Sequence, residues 1–428
     1  MSEKAKLPRN IAISVAFLSL AGQIAWAVEN QFYNDFIDEA LVNLGFPTLI
    51  PLAITLMVNI TTSVGTLAAI IMGSYSDVKG KRKPLLLYGF IFWAITTAMF
   101  PLSALFGGIN VYVVIFTAIL FDSIMTFFGS MTLNAGFNSW VTDVTTLENR
   151  SKAMSIAQIT TLAALLIVYG ALGMLIGVIG YYNFFIVVAI LTGVIGLIGV
   201  HKMKTPQDLK PMDITVGEHI KNTFKRKSSV DYKNFFLVLI VICSWQIALN
   251  IMFPFLIIYL KYALGSRTFS LLILFVALLV AIFLSYPLGK ITNKLGRKKM
   301  TFISTLLFSL GLFLVGISPE LITLLLSGIM TFVFYTALSI STFTWVKDLY
   351  PAEGRGQFSG YWNLFSGTIP MIIGPIIGGI LVSVFGELRM EELGRIVLVP
   401  PDIIFYIAAF FALITLLPLI FAKELKKG

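Results

Sequence analysis

The chain has 428 residues, of which 57% are hydrophobic and only 12% charged, about half the charged share of an ordinary soluble domain. A soluble protein could not hide that much apolar surface, and the apolar residues recur in blocks of about 20 divided by short polar breaks, as in a chain that crosses a bilayer repeatedly. The net charge of +10 resides in those breaks, so a membrane topology accounts for it without nucleic acid as a partner.

In chain order the apolar runs predict helices over 10–36, 49–75, 84–106, 110–138, 152–178, 181–201, 234–261, 268–289, 299–317, 320–346, 357–386 and 402–422. The first follows a basic start (Lys4, Lys6, Arg9), exceeds the apolar core of a signal peptide and lacks a small-residue cleavage site, so it reads as a span. All but four of the 31 Lys and Arg fall on one side of this topology, the exceptions being Lys261, Arg267, Arg389 and Arg395. By the bias of basic residues toward the cytoplasm, both termini of this multi-pass cell-membrane protein are cytoplasmic. The single cysteine, Cys243, lies in an apolar run, and the two histidines, His201 and His219, lie in the central polar break. No internal disulfide, metal cluster or cofactor is therefore implied.

The longest break, His201 to Lys233, separates six spans from six. It gives an N-terminal bundle (1–201), a cytoplasmic linker loop (202–233) and a C-terminal bundle (234–428). Three short matches connect the halves. Gly73, Asp77, Gly80, Lys81 and Arg82 recur as Gly289, Asn293, Gly296, Arg297 and Lys298 at an offset of 216. Trp140, Val141, Asp143, Glu148 and Arg150 recur as Trp345, Val346, Asp348, Glu353 and Arg355 at an offset of 205. Gln23-Ile24-Ala25 recurs as Gln246-Ile247-Ala248 at an offset of 223. They fall at equivalent places in the two halves, so the expected fold is an all-α membrane protein of twelve transmembrane helices in two pseudo-symmetric six-helix bundles.

The segment Gly73-Ser-Tyr-Ser-Asp77-Val-Lys-Gly80-Lys81-Arg82-Lys83-Pro84, with its echo at Gly289 to Lys299, resembles the loop between the second and third helices of the major facilitator superfamily. The basic residues running into Pro84, together with Ser139-Trp140-Val141-Thr142-Asp143 through Arg150, are similar to the glycoside–pentoside–hexuronide:cation symporters and their sucrose-transporter relatives. The resemblance implies alternating access by rocking of two bundles. It also implies a cytoplasmic gate that inherits Gly73, Asp77, Gly80, Lys81 and Arg82, with the loop Asp meeting a helix terminus and basic residues of the opposite half. Asp143, Arg150, Asp348 and Arg355, at cytoplasmic helix ends, are suited to charge networks that break on opening; ordinary loop charges, and a run of lysines that only fixes topology, are the alternatives. One departure matters: melibiose-type members of that group carry two aspartates in the second helix, whereas Ile50 to Ile71 contains no acid and has residues such as Gly65 and Ala69 there. Their sodium site does not carry over.

A carboxylate within the membrane costs several kcal/mol unless paired or protonated. Two acids are candidates for cation coupling. Glu29 lies on a stripe of the first span with Ser19, Gly22, Gln23, Trp26, Asn30 and Tyr33, within about 140° at 100° per residue, expected to face a central cavity. Asp122 falls about a dozen residues into the fourth span, with Ser123 and Thr126 nearby. Burial disfavours an ionised carboxyl, and no cation in the spans is a visible partner for either, so a proton is expected rather than sodium. An interfacial acid wetted from outside and a structural acid between helices remain the respective alternatives. The same cavity would draw solute contacts from Gln23, Trp26, Asn30, Gln158, Gln246, Asn250, Tyr335, Tyr361, Trp362 and Asn363, neutral amides and flat rings that suit a sugar; packing at helix contacts is the competing use. Gly374-Pro375 through Gly378-Gly379, with Pro370, predicts a kink and a close helix crossing.

These features predict a secondary active transporter, by cation (proton) symport of a small polar solute such as a sugar or glycoside, with the solute and the coupling cation as partners and a monomer sufficient. A proton-coupled efflux antiporter of amphipathic compounds is the alternative on the same fold. A non-transporting receptor would need a larger soluble region than the roughly 30-residue linker. An enzyme is not expected, since no nucleophile–base pair, metal-ligand set or nucleotide loop is present.

Overall fold

The computed structural model describes residues 7–146, 149–205, 211–223, 232–318, 320–349, 361–391 and 394–424. Among these, eleven apolar helical stretches are long enough to cross a bilayer. We label them α1 (Arg9–Asn43), α2 (Pro47–Lys79), α3 (Lys83–Gly108) and α4 (Val111–Val144), then the stretch Lys152–Lys202. They continue as α7 (Lys233–Leu264), α8 (Arg267–Leu295), α9 (Arg297–Gly316), α10 (Leu321–Asp348), α11 (Tyr361–Phe385) and α12 (Ile403–Phe421). The 51 residues of Lys152–Lys202 would make a rod of about 76 Å, more than twice a hydrocarbon core of about 30 Å. The rod is broken at Gly180, whose φ of 72° and ψ of 169° suit only a residue without a Cβ. It thus supplies two spans, α5 (152–179) and α6 (181–202), and the protein is a twelve-helix membrane protein.

Among the described residues four spans contain π-helical turns, at Glu29–Tyr33, Ser130–Phe137, Val168–Leu172 and Leu364–Thr368. Hydropathy does not encode these, because one extra residue per turn leaves composition unchanged; such turns concentrate where helices carry function. Sequence reading also missed an antiparallel hairpin of β1 (Glu387–Met390) and β2 (Ile396–Val399), in which Leu388 faces Leu398 and Val397 to Val399 are buried.

The chain forms two compact units, one of Met1–Ala40 with Ile60–Phe224 and the other of Leu41–Asn59 with Lys225–Gly428. In the first, α1 packs on α5 and α6, and α3 packs on α4 and α6. Small residues bring these helices close: a Cβ on Gly196 would run into the Phe90 ring, and one on Gly199 would meet Leu18. In the second unit α7 packs on α11 and α12, and α9 packs on α10 and α12. The crossing expected at Gly374 and Gly378 lies against Asn250 and Ile251 of α7. Pro375 has no N–H to give the Met371 carbonyl. That carbonyl is met instead by Asn59, whose amide, oriented so that its nitrogen faces these acceptors, lies 3.2 Å from it and 3.0 Å from the Ile372 carbonyl. Thr55 donates to the Pro375 carbonyl at 3.1 Å. The beginning of α2 is therefore held on α11 by side chains that satisfy a proline-interrupted helix.

Candidate functional site

The candidate site of the first unit is built on α1 and α4. Glu29 opens the π-helical turn of α1, and Asp122 and Thr126 are one α-helical turn apart on α4, so both face α1. Thr126 Oγ1 donates to Glu29 Oε1 at 2.7 Å. The Asp122 carboxyl adjoins that of Glu29. Asp122 is only 2% exposed, and neither its Oδ1 nor Glu29 Oε2 has a hydrogen-bond partner among the described residues. The hydroxyl of Tyr33 points into the same cluster, near Thr97, Asp122 and Glu29. Among the described residues no Lys, Arg or His stands beside the two acids. Two buried carboxyls in contact cannot both stay ionised without a cation, so the arrangement is suited to holding a proton between them.

The α1 stripe does not all face a cavity. Ser19 is buried and donates to the Ala157 carbonyl of α5 at 3.1 Å, Gly22 lies against Leu133, and Tyr33 is buried in a stack on Phe100 with centroids 3.5 Å apart. These three serve packing; Gln23, Trp26, Glu29 and Asn30 form the half-buried part of the face. Trp26 meets Trp93 edge-on at 5.2 Å, and Trp93 Nε1 donates to Met125 Sδ at 2.9 Å. Gly129 makes room for both indoles, since a Cβ there would lie 2.9 Å from Trp93 and 3.1 Å from Trp26. Gly129→Ala is therefore expected to destabilise the first unit by about 1–3 kcal/mol through overpacking; thermal unfolding in detergent, followed by tryptophan emission, checks this.

The amide of Asn30 donates to the Trp26 carbonyl at 2.7 Å, and that of Asn250 to the Gln246 carbonyl at 2.8 Å. Each serves its own helix with its nitrogen and keeps its oxygen for other use. Gln246 is nearly buried, and Tyr335 packs edge-on against Trp245 at 5.6 Å. Trp362 meets Phe343 at 4.5 Å, Tyr361 meets Phe236 at 5.2 Å, and Gln158 and Asn363 are exposed.

At the end of α2, Arg82 gathers the loop. It is only 5% exposed, and its guanidinium reaches Asp77 Oδ1 at 2.6 Å, Asp143 Oδ2 at 2.8 Å and Ser76 Oγ at 2.9 Å. Burial works against the charged form, but the hydrogen bond that Arg82 donates to Asp143 and the charge of Asp77 outweigh it and hold the Arg82 pKa above its ordinary value. Gly80 turns the loop with a φ of 63°, Gly73 lies against Ala135, and Lys81 is exposed. The second unit repeats this with a shift of one residue: Arg297, the equivalent of Lys81, donates to Asn293 at 2.7 Å and pairs with Asp348 at 3.5 Å. Arg355 and the side chain of Arg150 lie outside the described residues.

Sequence reading missed two sets of residues. Asp35 and Asp38 are fully buried, and Tyr181 donates to Asp35 at 2.5 Å; the hydropathy reading ended the first span at 36, whereas α1 runs to Asn43. The linker contains a helix, Val216–Thr223, started by a capping box in which Thr215 N–H and Glu218 Oε2 are 2.9 Å apart and Glu218 N–H meets Thr215 Oγ1 at 3.2 Å. The backbone and then the hydroxyl of Thr215 hold the Glu218 pKa below the glutamate range, so this cap is present above that range and lost as pH falls through the lowered value.

The chain has limited similarity to curated transporters. It is 30% identical over 106 residues to Multidrug resistance protein 3 of Bacillus subtilis, covering 24% of this chain and 20% of that protein. It is 32% identical over 98 residues to the riboflavin transporter RibZ of Clostridioides difficile, covering 23% and 21%. The chain thus matches about a fifth of the length of these relatives. Its fold matches a crystal structure of a D-xylose-proton symporter with a TM-score of 0.71 at 14% identity, over 96% of this chain and 98% of the other. The family model described as Major Facilitator Superfamily matches residues 11–278 and 235–427. With twelve spans and that match over nearly its whole length, the protein is a transporter rather than an enzyme, and it belongs to the Major Facilitator Superfamily.

Proposed function

We propose that this protein is a proton-coupled importer of a small, largely neutral polar solute, of the sugar or glycoside kind, working by alternating access in the cell membrane with both termini cytoplasmic. The observation that carries the coupling is the adjoining pair Glu29 and Asp122, the first half-buried and the second fully so, with a carboxyl oxygen of each inaccessible and no cation beside them among the described residues. Proton uptake by the pair removes a charge whose burial opposes movement, so loading the site and rocking the bundles become linked. The loop motifs support the finer likeness to glycoside–pentoside–hexuronide:cation symporters. Gln23, Trp26, Asn30, Gln158, Gln246, Asn250, Tyr335, Tyr361, Trp362 and Asn363 are the proposed solute contacts. The Arg82 and Arg297 networks are the proposed cytoplasmic gate.

A second reading, proton-coupled efflux of amphipathic compounds, draws on a specific feature: the half-buried Trp26 indole lies one helical turn before Glu29 on the same face of α1, and an aromatic ring next to an acid suits an aromatic cation. The test is to reconstitute the protein in vesicles carrying an internal pH dye and to add sugars, glycosides and amphipathic cations in turn. A sugar that drives protons inward supports the import reading. Proton release from acid-loaded vesicles on addition of a cation, with no response to any sugar, overturns import in favour of efflux.

A further inference from the structure

In the second unit the ends of α8 and α12 meet the start of α9. A cavity of about 350 Å³ beside the linker helix has walls of mixed charge and no consistent ligand chemistry. The cavity between α8, α9 and α12, of about 520 Å³, is different. Its walls are Leu295, Phe302, Ile303, Leu416, Leu419 and Ile420, and one end carries Lys298, Lys299 and Glu424.

The chemistry of this groove is graded along its length by helix geometry. Lys299 lies three and four residues before Phe302 and Ile303, so all three share a face of α9 and the groove passes from cation to hydrocarbon within about 6 Å. On α12, Leu416, Leu419 and Ile420 follow the same spacing and form the opposite wall. The three charges at the polar end are not equivalent. Lys298 Nζ is held by the carbonyls of Ile420 and Ala422, both at 2.8 Å. Glu424 is bound by the N–H groups of Arg297 at 2.6 Å and Lys298 at 3.3 Å, so its charge is met by the helix N-terminus. Lys299 is exposed, and among the described residues no carboxylate pairs with it.

We infer that this groove is a binding site for an anionic phospholipid, with the headgroup phosphate on Lys299, assisted by Lys298, and an acyl chain along Phe302, Ile303 and Leu419. A free phosphate would use only the polar end, and a zwitterionic lipid would present the lysines with a cation alongside its phosphate. A basic pocket between spanning helices, opening on hydrocarbon, is complementary to a headgroup that carries net negative charge.

The site can be tested without transport. The detergent-solubilised protein is exposed to an equimolar mixture of phosphatidylglycerol and phosphatidylcholine with the same acyl chains, and retained lipid is counted by native mass spectrometry. Phosphatidylglycerol is expected to be retained preferentially, with affinity falling about five-fold in Lys299→Gln, the worth of one lysine near an anionic phospholipid. Lys299→Arg should restore retention, and Lys202→Gln, at the end of α6, should leave it unchanged. Equal retention of the two lipids, or Lys299→Gln behaving as the wild type, would overturn the assignment. So would displacement of the lipid by inorganic phosphate alone, which would mark a site for a free anion.

Discussion

Glu29→Gln is expected to abolish solute-driven proton movement while leaving solute exchange intact. In vesicles with equal solute on both sides, labelled solute should still equilibrate, because a neutral amide keeps the size of the side chain and can still hydrogen-bond to Thr126, which now donates to Glu29 at 2.7 Å. The pH dye should fall to the signal of protein-free vesicles, because an amide cannot take up and release the proton. Asp122→Asn should do the same. The double variant should be no worse than either single one, since two groups that share one proton act as a unit and their losses do not add. A Glu29→Gln protein that still moves protons with its solute would remove this pair from the coupling mechanism. A double variant that loses the solute exchange kept by both single ones would mean that the two acids act at separate steps.

Arg82→Gln should cost far more stability than Arg297→Gln. Removing Arg82 leaves Asp77 and Asp143 without the cation that joins them, in a place where the arginine is only 5% exposed. The expected loss is about 3 kcal/mol, the low end for breaking a buried pair, because Asp77 is itself 29% exposed. Arg297 is itself 11% exposed, but it reaches Asp348 only at 3.5 Å, that carboxylate is 48% exposed and so stays hydrated when the arginine is removed, and its other partner, Asn293, is neutral. Its loss should cost no more than about 1 kcal/mol, and the Glu424 contact to the Arg297 backbone N–H survives the change. Thermal unfolding of the two variants in one detergent checks the order. Equal losses would show that the two loops are energetically alike despite Asp77 in one and Asn293 in the other.

The spans were legible because apolar length is a property of the chain itself, and the two-half organisation was legible because the loop motifs repeat in kind and place. Glu29 and Asp122 each stood out as acids within apolar runs. Their contact did not, since Thr126, which joins them, lies 97 residues from Glu29 and the pairing depends on how α1 meets α4. A stripe on α1 assumes a regular period of 100°, and the π-helical turn at Glu29–Tyr33 breaks that period. Tyr33 therefore turns into the aromatic cluster with Phe100 and Phe185. Asp35 and Asp38 were hidden by the opposite error, because acids near the end of a span look like loop residues until the helix is seen to continue. The shift of the bridging arginine from the Arg82 position to the Lys81 position of the repeat was also illegible, as either register preserves a basic pair after glycine.

The hold of Asn59 and Thr55 on α11 bears on how such a chain can change by recombination. Leu41–Asn59 belongs by sequence to the first six spans but keeps its contacts with the second unit. An exchange of halves between relatives at the linker would move this segment away from the Met371, Ile372 and Pro375 carbonyls that it satisfies. The linker is thus the obvious seam in the sequence but not a neutral crossover point: a chimera that keeps a proline at 375 must also carry at 59 a side chain able to donate to the carbonyl that the proline leaves free.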